Sequence, residues 1–597
     1  MLGFYSYRDP NPQNTLNVIR DVGRFAIDKT WTDQDLQEAK LSTFQSVDAP
    51  QSVSEEGLTR ADKKEQLLDV TKQDVRAVAQ KYLVNGAEEM RIAAIGEKKD
   101  WIRPEEWKIE NLDQEQNLLE RVHSTYKPLH TFALPHGDHK QYKQQYGDMY
   151  FLRLAKLKPA VEELAQEAWN DFQIAGEQVR HVDRVLDVRQ GELCWVAGTV
   201  FMDMPLKPNI LDDLSRDHWI AAPPPREKYL ARNGQDLMML EDESGRLRMV
   251  GTQLQLHMLV TGCIIAVMGT ENADGDFEVV DMKVPDLAPQ PERQIKSESL
   301  KTNGESKSKR RKSPDTQEGS KIAIVSGIAI SGEDGDSLKL DLLMEFLLGE
   351  ACGTTTQEEI SKISRLIIAG NSISEGNPLR SEDDLADLKK ASKKYGYDSS
   401  AYNPLPTAHL DEFLATLLPS IPITLLPGDS DPANVSLPQQ PIHPAMLPRS
   451  RNYAVQDGEQ PGWFDSVTNP WEGDIDGLRF LGNGGQPIDD VLKYVEGGER
   501  LEMIENLLRW RCNAPTAPDT LWCYPFQEKD QFIIEECPHV FFVGNQPRFE
   551  TGLVEGPTGQ IVRLIAVPKF KETGEVVLLD TETLEAEMLK FNIHGDL

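Results

Sequence analysis

Four apolar runs in the second half of the chain each end in a turn of small polar residues. The turns are Val325-Ser326-Gly327-Ile328-Ala329, Ala369-Gly370-Asn371, Pro427-Gly428-Asp429-Ser430-Asp431 and Val543-Gly544-Asn545-Gln546-Pro547. The apolar runs predict buried strands at residues 322–325, 366–368, 423–426, 478–481 and 540–543, with helices at residues 337–348, 408–417 and 501–511 between them. Such an order is typical of a layered α/β sheet whose loops gather at one edge, where sites usually form.

The chain has 597 residues and a net charge of −33. This length predicts several domains. A strongly acidic protein repels the phosphate groups of nucleic acids, which DNA-binding proteins usually neutralise with Lys and Arg side chains. We therefore expect contact with DNA only through a larger complex. No apolar run approaches the roughly 20 residues that span a membrane, and the first residues resemble neither a signal nor a transit peptide. We expect no membrane contact and an intracellular location.

The six cysteines form no C-x-x-C pair, so a zinc ribbon or redox pair is not indicated. Buried, reduced thiols in a reducing compartment fit this pattern. We predict no cofactor and no metal.

The first half of the chain divides into further units. Residues 111–140 are polar and contain proline and histidine, which predicts a linker. Residues 141–180 have helical periodicity, and residues 181–284 contain short β runs separated by Gly and Asp turns. The β runs lie at residues 193–200, 236–240, 247–250, 259–268 and 277–282, and this spacing suits a small barrel such as an OB-fold.

Residues 285–320 are almost free of apolar side chains, which predicts a disordered basic linker. Within it, residues 307–312 (KSKRRK) precede Ser313-Pro314. This cluster is either a nuclear-localisation signal or a solvated run of charges, and the sequence does not separate the two.

The turns after the predicted strands resemble the metal-binding loops of calcineurin-like phosphoesterases, in the same order. That family supplies Asp, His and Asn ligands to two metal ions, which clamp the attacking and leaving oxygens. Here Gly327 and Ala329 carry no ligand atom, Asn371 replaces a carboxylate, and Asp429-Ser430 stands in place of Asn-His. Asn545 and Pro547 stand where the last motif has histidines. The resemblance therefore implies an inactive phosphodiesterase-like domain over residues 321–597, with these seven positions as vestiges.

Longer strings resemble the small, regulatory subunits of eukaryotic DNA polymerase delta over residues 141–597. They are residues 142–146 (YKQQY), 186–192 (LDVRQGE), 437–444 (LPQQPIHP), 476–482 (DGLRFLG), 514–521 (APTAPDTL), 523–526 (CYPF) and 537–545 (CPHVFFVGN). The resemblance implies a nuclear, non-catalytic scaffold for DNA replication. Its implied partners are the C-terminal metal-binding region of the catalytic subunit, a further accessory subunit and, in fungi, the translesion polymerase zeta.

The proline-rich run after Asp431 is the predicted partner-contact loop. Its candidate residues are Pro438, Gln439, Gln440, Pro441, His443 and Pro444. Proline fixes φ and removes a hydrogen-bond donor, so the loop is stiff and suits either a partner surface or a packed cover on the sheet edge. We interpret His443 as a rigid loop residue rather than a ligand. We expect Asp519 to cap a turn, and Trp510 and Trp522 to lie in the core.

Residues 1–110 predict a separate α+β fragment. The strings 4–12 (FYSYRDPNP), 35–42 (DLQEAKLS), 47–50 (VDAP) and 67–71 (LLDVT) resemble the C-terminal end of pitrilysin-type presequence metalloproteases. The zinc motif H-x-x-E-H of that family is absent, and the first histidine is His123. Two explanations stay open: a gene model that joins two neighbouring genes, or a real fusion.

The predicted fold class is multidomain α+β: a truncated pitrilysin-like fragment, an OB-fold barrel and an inactive calcineurin-like sandwich. Two alternatives to the scaffold function remain at this point. One is a metal-dependent phosphodiesterase, and the other is a metalloprotease-derived fusion protein.

Overall fold

The computed structural model describes residues 119–592, apart from residues 136, 138–139, 141–145, 175, 209–225, 232–233, 294–318, 332–337, 351–352, 375–402 and 455–462. The predicted pitrilysin-like fragment (1–110) and the basic cluster (307–312) lie outside the described residues. Residues 118–597 form one compact unit. None of the helices in the described ranges is long and apolar enough to cross a membrane.

A small closed barrel forms the first part of this unit. Its strands are β4 (Arg180–His181), β5 (Leu193–Asp203), β6 (Leu237–Glu241), β7 (Arg246–Val250), β8 (Ile264–Glu271) and β9 (Phe277–Lys283). They follow the order β4-β5-β6-β7-β9-β8, and an antiparallel pairing of β5 with β8 closes the sheet. A long helix, α1 (Gly147–Trp169), and a short hairpin, β2 (Gln173–Ile174) and β3 (Glu177–Gln178), precede it. A short helix, α2 (Gln253–Leu256), lies between β7 and β8.

The sequence of strand β5 is a nearly continuous apolar run, and the packing of the strand explains why. Cys194 and Val196 point into the barrel interior, whereas Leu193, Trp195 and Ala197 pack against α1. Both faces of the strand are therefore buried, which removes the usual alternation of apolar and polar residues.

A sandwich of two six-stranded sheets follows in the described part of the chain. The first sheet has the order β1-β14-β15-β16-β18-β17 and the second β13-β12-β11-β10-β19-β20. The strands of the first sheet are β1 (Tyr126–Leu129), β14 (Trp471–Ile475), β15 (Leu478–Asn483), β16 (Val540–Gln546), β17 (Glu550–Glu555) and β18 (Ile561–Pro568). Those of the second are β10 (Lys321–Val325), β11 (Ile363–Ala369), β12 (Ile423–Leu426), β13 (Phe464–Ser466), β19 (Glu575–Asp580) and β20 (Ala586–Lys590).

Helices cover both outer faces of the sandwich. The second sheet is covered by α3 (Leu338–Leu348), α4 (Thr354–Ser361) and α5 (Leu405–Leu417), and the first by α6 (Gln486–Tyr494) and α7 (Arg500–Arg509). A short helix, α8 (Phe570–Thr573), precedes β19. The two sheets meet through a separate apolar layer that includes Ile324, Ile367 and Phe542. The core of α6 and α7 continues into the barrel interior, so barrel and sandwich share one apolar cluster.

The parallel strands place the predicted loops at one edge. Strands β10, β11, β12 and β13 are parallel neighbours, as are β15, β16 and β18. The carboxyl ends of parallel strands lie at the same edge of a sheet, so the turns after β10, β11, β12 and β16 can meet there.

The predicted linker at residues 111–140 is wrong where the structure describes it. Tyr126–Leu129 pairs antiparallel with β14 as an edge strand. Before it, the Arg121 guanidinium donates hydrogen bonds to the carbonyl oxygens of Leu347, Ile360 and Ile363, at 2.6 to 3.0 Å. The segment contains a proline and few apolar residues, which is why its sequence reads as a linker although the sandwich holds it.

The predicted disorder from residue 285 begins too early. Leu287 and Ala288 are buried, and the Gln290 side chain donates to the carbonyl oxygens of Pro538 and Ile561. Residues 285–293 therefore belong to the folded unit. Their polar groups form hydrogen bonds with the sandwich, and amino-acid composition alone does not predict such long-range bonds.

Candidate functional site

The structure brings the predicted phosphoesterase-like turns together at one edge of the sandwich. A Cβ atom added to Gly370 would lie 3.1 Å from the Gly428 Cα and 3.3 Å from both the Asn545 Nδ2 and the Gly484 Cα. A Cβ added to Gly327 would lie 2.7 Å from the Asn545 Oδ1. Gly370 has a φ of +82°, a conformation that glycine adopts without cost. Four of the loops therefore meet within van der Waals contact.

These loops bind one another directly. The Gly327 N–H donates to the Gly370 oxygen at 3.0 Å, and the Ala329 N–H donates to the Asn371 oxygen at 3.1 Å. The Asn371 Oδ1 accepts from the Asp429 N–H at 2.8 Å, and the Asn545 Nδ2 donates to the Gly484 oxygen at 2.8 Å. Five of the positions predicted to be vestigial ligands, Gly327, Ala329, Asn371, Asp429 and Asn545, thus serve as hydrogen-bond partners between loops.

Three of these residues have left-handed backbones. Ala329, Asn371 and Asn545 have φ values of +46°, +53° and +58°. Asparagine tolerates this region better than most residues, because its short polar side chain bonds locally, but alanine gains no such bond. The backbone path through the site is therefore an unusual one, which the loop–loop hydrogen bonds hold in place.

Asp431 is the buried anchor of the group. Its carboxylate accepts from the N–H groups of Ser372 at 2.8 Å, Ile373 at 3.0 Å and Gly428 at 2.7 Å. Burial raises the pKa of Asp431 to about 6, against the effect of these backbone donors. The neighbouring Ser430 hydroxyl donates to the Ile373 oxygen at 2.6 Å. This arrangement ties the turn after β12 to the turn after β11.

The donors at this edge do not fit a two-metal centre. Gly327 and Ala329 have no ligand atom, Asn371 and Ser430 are engaged in the hydrogen bonds above, and Pro547 is exposed and has no side-chain donor. Two buried oxygens, the Asn545 Oδ1 and the Ser372 Oγ, have no hydrogen-bond partner, but neither is a carboxylate or imidazole. Across the ranges that the structure describes, no group of three His, Cys, Asp or Glu side chains could hold a metal ion.

The proline-rich loop closes the same edge. Gln439 is 1% exposed, and its Nε2 donates to the Gly428 and Asn434 oxygens at 3.0 Å each. Its Oε1 accepts from Asn469 at 2.8 Å and from Gln486 at 3.0 Å. Gln439 is therefore a structural residue and has no atom left for a partner.

The other predicted contact residues divide by exposure. Pro438 is buried, and the Gln440 side chain is half-buried and bonds the backbone of Leu134 and Phe132. Pro441, His443 and Pro444 are exposed. The His443 Nδ1 accepts from the Ala445 N–H at 3.2 Å and caps the short 3-10 turn Pro444–Met446. A partner contact by the three exposed residues stays a prediction.

The expectations for Asp519 and Trp522 are wrong, and Trp510 is buried as predicted. The Asp519 carboxylate forms an ion pair with Lys207 of the barrel at 2.7 Å and accepts from the Tyr494 hydroxyl at 2.9 Å. Trp522 is 64% exposed, whereas Trp510 is 3% exposed. The APTAPDTL string therefore carries a contact between the barrel and the sandwich.

Arg153 is the residue that sequence reasoning missed. It lies on α1 with a side chain 1% exposed, 2.8 Å from the Asp530 carboxylate, and it donates to the Pro515 oxygen at 2.7 Å. Burial alone would lower the pKa of Arg153, but the Asp530 charge and hydrogen bond raise it above its ordinary value. A charged residue at a buried helical position is the signal, because arginine is almost never fully buried without a partner.

Residues 145–282 match the family model described as the DNA polymerase delta subunit OB-fold domain, and residues 322–551 match the model that describes the B subunits of DNA polymerases alpha and epsilon. The chain is 36% identical over 449 residues to the DNA polymerase delta small subunit of Arabidopsis thaliana, which covers 75% of this chain and 91% of that protein.

The corresponding Saccharomyces cerevisiae subunit is 34% identical over 511 residues, covering 81% of this chain and 97% of the relative. The chain belongs to the family of DNA polymerase delta small subunits, and it is an accessory subunit of that polymerase. A further match covers a different part: the mitochondrial presequence protease of Gibberella zeae is 52% identical over 125 residues. That match covers 19% of this chain and only 12% of the protease.

Proposed function

We propose that this chain is a non-catalytic scaffold of DNA polymerase delta, built on a barrel and an inactive calcineurin-like sandwich. One observation carries the non-catalytic part: at the sheet edge where a phosphoesterase holds its metals, the loops bond to one another through Asn371, Asp431 and Asn545. A two-metal mechanism needs ligands that these positions do not offer.

The alternative function, a metal-dependent phosphodiesterase, predicts that the chain hydrolyses a phosphodiester when a metal ion is supplied, and this can be measured. The scaffold function predicts instead that the purified chain hydrolyses no bis-p-nitrophenyl phosphate above the buffer rate when Mn²⁺ is added. The Ser430→His variant should stay inactive too, because one histidine cannot replace ligands missing from four loops. Mn²⁺-dependent turnover by the wild-type chain, abolished by Asp431→Asn, would sink the proposal.

The proposed partner is the catalytic subunit of DNA polymerase delta, through its C-terminal metal-binding region. A third accessory subunit, and polymerase zeta in fungi, are the further proposed partners, and the nucleus is the proposed location. Support comes from the family and from the net charge of −33, which favours basic protein surfaces over DNA. Co-expression of the full chain with the catalytic subunit should yield a stable complex, and a chain that elutes alone would contradict the scaffold function.

For residues 1–110 we propose a pitrilysin-like fragment without peptidase activity of its own. The match to presequence proteases covers 12% of the Gibberella zeae protein, and the zinc motif is absent from this sequence. The Arg121 side chain is hydrogen-bonded to the sandwich. This contact supports a boundary between the two parts that lies before Arg121. A transcript that spans codons 100–140 would establish a real fusion, and two separate transcripts would establish a joined gene model.

A further inference from the structure

A cleft lies where helix α1, the barrel and helix α7 meet. Its volume is about 520 Å³, within the range of roughly 300 to 1,000 Å³ that is usual for binding sites. The apolar part of its lining includes Leu259, Met282 and Trp510, all of them buried. Ala168 lies on the α1 wall. The cleft thus offers an apolar surface at a contact between domains, where ligand sites are frequent.

The charges around the cleft are not balanced. The Lys283 ammonium lies 3.1 Å from the Asp281 carboxylate, and the Arg509 guanidinium lies 2.6 Å from the Asp286 carboxylate. Both cations of the lining therefore already have anionic partners on this chain.

The remaining carboxylates of the lining have no such partner. Glu167 on α1 and Glu502 on α7 are both exposed, and neither forms an ion pair within the ranges that the structure describes. They belong to two different helices at the cleft. The cleft therefore combines an apolar lining with an excess of negative charge, and this combination would repel the phosphates of a nucleic acid.

The walls are held in place by buried contacts. Arg153, on the same helix as Glu167, is tied to Asp530 of the sandwich, and Lys207 of the barrel is tied to Asp519. Because these pairs fix α1 and the barrel against the sandwich, a ligand need not order the cleft when it binds. Such preorganisation reduces the entropic cost of association.

We propose that this cleft receives a protein segment of another subunit of the polymerase complex, in which an apolar side chain is flanked by lysine or arginine. The proposal rests on the scaffold function above and specifies a surface that performs it. The apolar side chain would contact Leu259, Met282 and Trp510, and the basic side chains would pair with Glu167 and Glu502. Charge complementarity of this kind governs partner choice and association rate more than affinity.

A photo-cross-link tests which segment occupies the cleft. Ala168 is exposed on α1, so Ala168→p-benzoylphenylalanine places a reactive group in the cleft with little effect on the helix. The variant chain is assembled into the purified polymerase complex, irradiated, digested and analysed by mass spectrometry. We expect one cross-linked peptide from another subunit, carrying lysine or arginine beside an apolar residue. A cross-link to residues 294–318 of this chain, or to an acidic peptide, or none at all, would overturn the proposal.

Charge reversal provides the quantitative test. The double variant Glu167→Lys/Glu502→Lys should weaken association with the cross-linked subunit on the order of tenfold at low salt, and less at high salt. The matched control is Glu587→Lys, an exposed carboxylate on edge strand β20 that forms no ion pair with any described residue. If the double variant and the control bind the cross-linked subunit with equal affinity, the cleft is not the binding site of that subunit. A wild-type chain that fails to assemble refutes the scaffold function instead, so the two failures are distinguishable.

Discussion

Removal of the Arg153 side chain is the sharpest test of how the barrel is held on the sandwich. Arg153 and Asp530 are 1% and 0% exposed and 2.8 Å apart, and Arg153 also donates to the Pro515 oxygen. Breaking a buried pair by removing one partner leaves an uncompensated charge and costs about 3–5 kcal/mol. Arg153→Met keeps an unbranched apolar stem but removes the guanidinium, so we expect the free energy of unfolding to fall by about 4 kcal/mol.

The chain offers a matched control on the same helix. Lys156 lies 2.8 Å from Glu535, but these side chains are 59% and 37% exposed. Solvent screens such a pair, so Lys156→Met should cost less than about 1 kcal/mol. The two variants remove cations of the same helix that pair with the same loop, and the main difference between the pairs is their burial.

The measurement is urea unfolding followed by tryptophan fluorescence and circular dichroism, accepted where the two probes coincide. Asp530→Asn in the Arg153→Met background removes the unpaired charge yet keeps an oxygen for the Phe532 N–H. The double variant should therefore recover about 2 kcal/mol. The reasoning is refuted if Arg153→Met costs no more than Lys156→Met, or if the double variant is less stable than the single one.

Three further outcomes test other contacts. Burial raises the pKa of Asp431 from 3.8 to about 6, so between these pH values the folded chain keeps a proton that the unfolded chain releases. The stability that this proton contributes is lost as pH rises through 6. In urea titrations between pH 4 and 6, the wild type should therefore lose up to about 1.4 kcal/mol of unfolding free energy per pH unit more than Asp431→Asn. Parallel pH curves would contradict this. Gly262→Ala places a Cβ only 2.0 Å from the Pro515 backbone oxygen at a φ of +92°, and Gly191→Ala places one in open space at a φ of +75°. Gly191→Ala should cost about 1–2 kcal/mol, and Gly262→Ala far more. Equal melting temperatures of the two variants would show that the close approach does not matter. Lys207→Met breaks the half-buried pair with Asp519 and should lower the free energy of unfolding in urea by about 1–3 kcal/mol. If the loss is no larger than that of Lys156→Met, the Lys207–Asp519 pair does not anchor the barrel.

Five of the sandwich strands, β10, β11, β12, β15 and β16, were predictable because they are buried on both faces. The run at residues 423–426 is the strand β12 without change, and those at residues 322–325 and 540–543 each lie within the observed strands β10 and β16. In a parallel sheet that is covered by helices, burial leaves continuous apolar runs that need no alternation to be recognised. The strand order follows from contacts far apart in the sequence and is not visible in any single run.

One missed strand and one misread loop depend on partners far along the chain. Strand β1 (YKPL) is short, contains a proline and pairs only with β14, more than 300 residues away. Asp519 and Trp522 occupy a loop whose sequence reads as a turn beside an apolar segment, yet one side chain reaches the barrel and the other is exposed. Local propensity contains no information about such partners, because the energy that decides them is tertiary.

The candidate site was predictable in position but not in its internal bonding. Loops after parallel strands must meet at one edge, so their convergence followed from the apolar runs. That Asp431 would accept the N–H groups of Ser372 and Ile373 from another loop, besides that of Gly428 in its own turn, did not follow, since the sequence shows only an aspartate in a turn. Side-chain to backbone bonds between distant loops have no local sequence pattern.

The hydrogen bonds at this edge hold its loops together through protein groups alone. In a two-metal site, the ions hold loops with clustered ligands together, and their loss would leave unpaired polar groups. Here the Asn371 amide oxygen binds the Asp429 backbone, the Asn545 amide binds the Gly484 carbonyl, and Asp431 binds three N–H groups. The contacts of Asn545 and Asp431 satisfy buried backbone groups that water cannot reach, so they favour one arrangement of the loops.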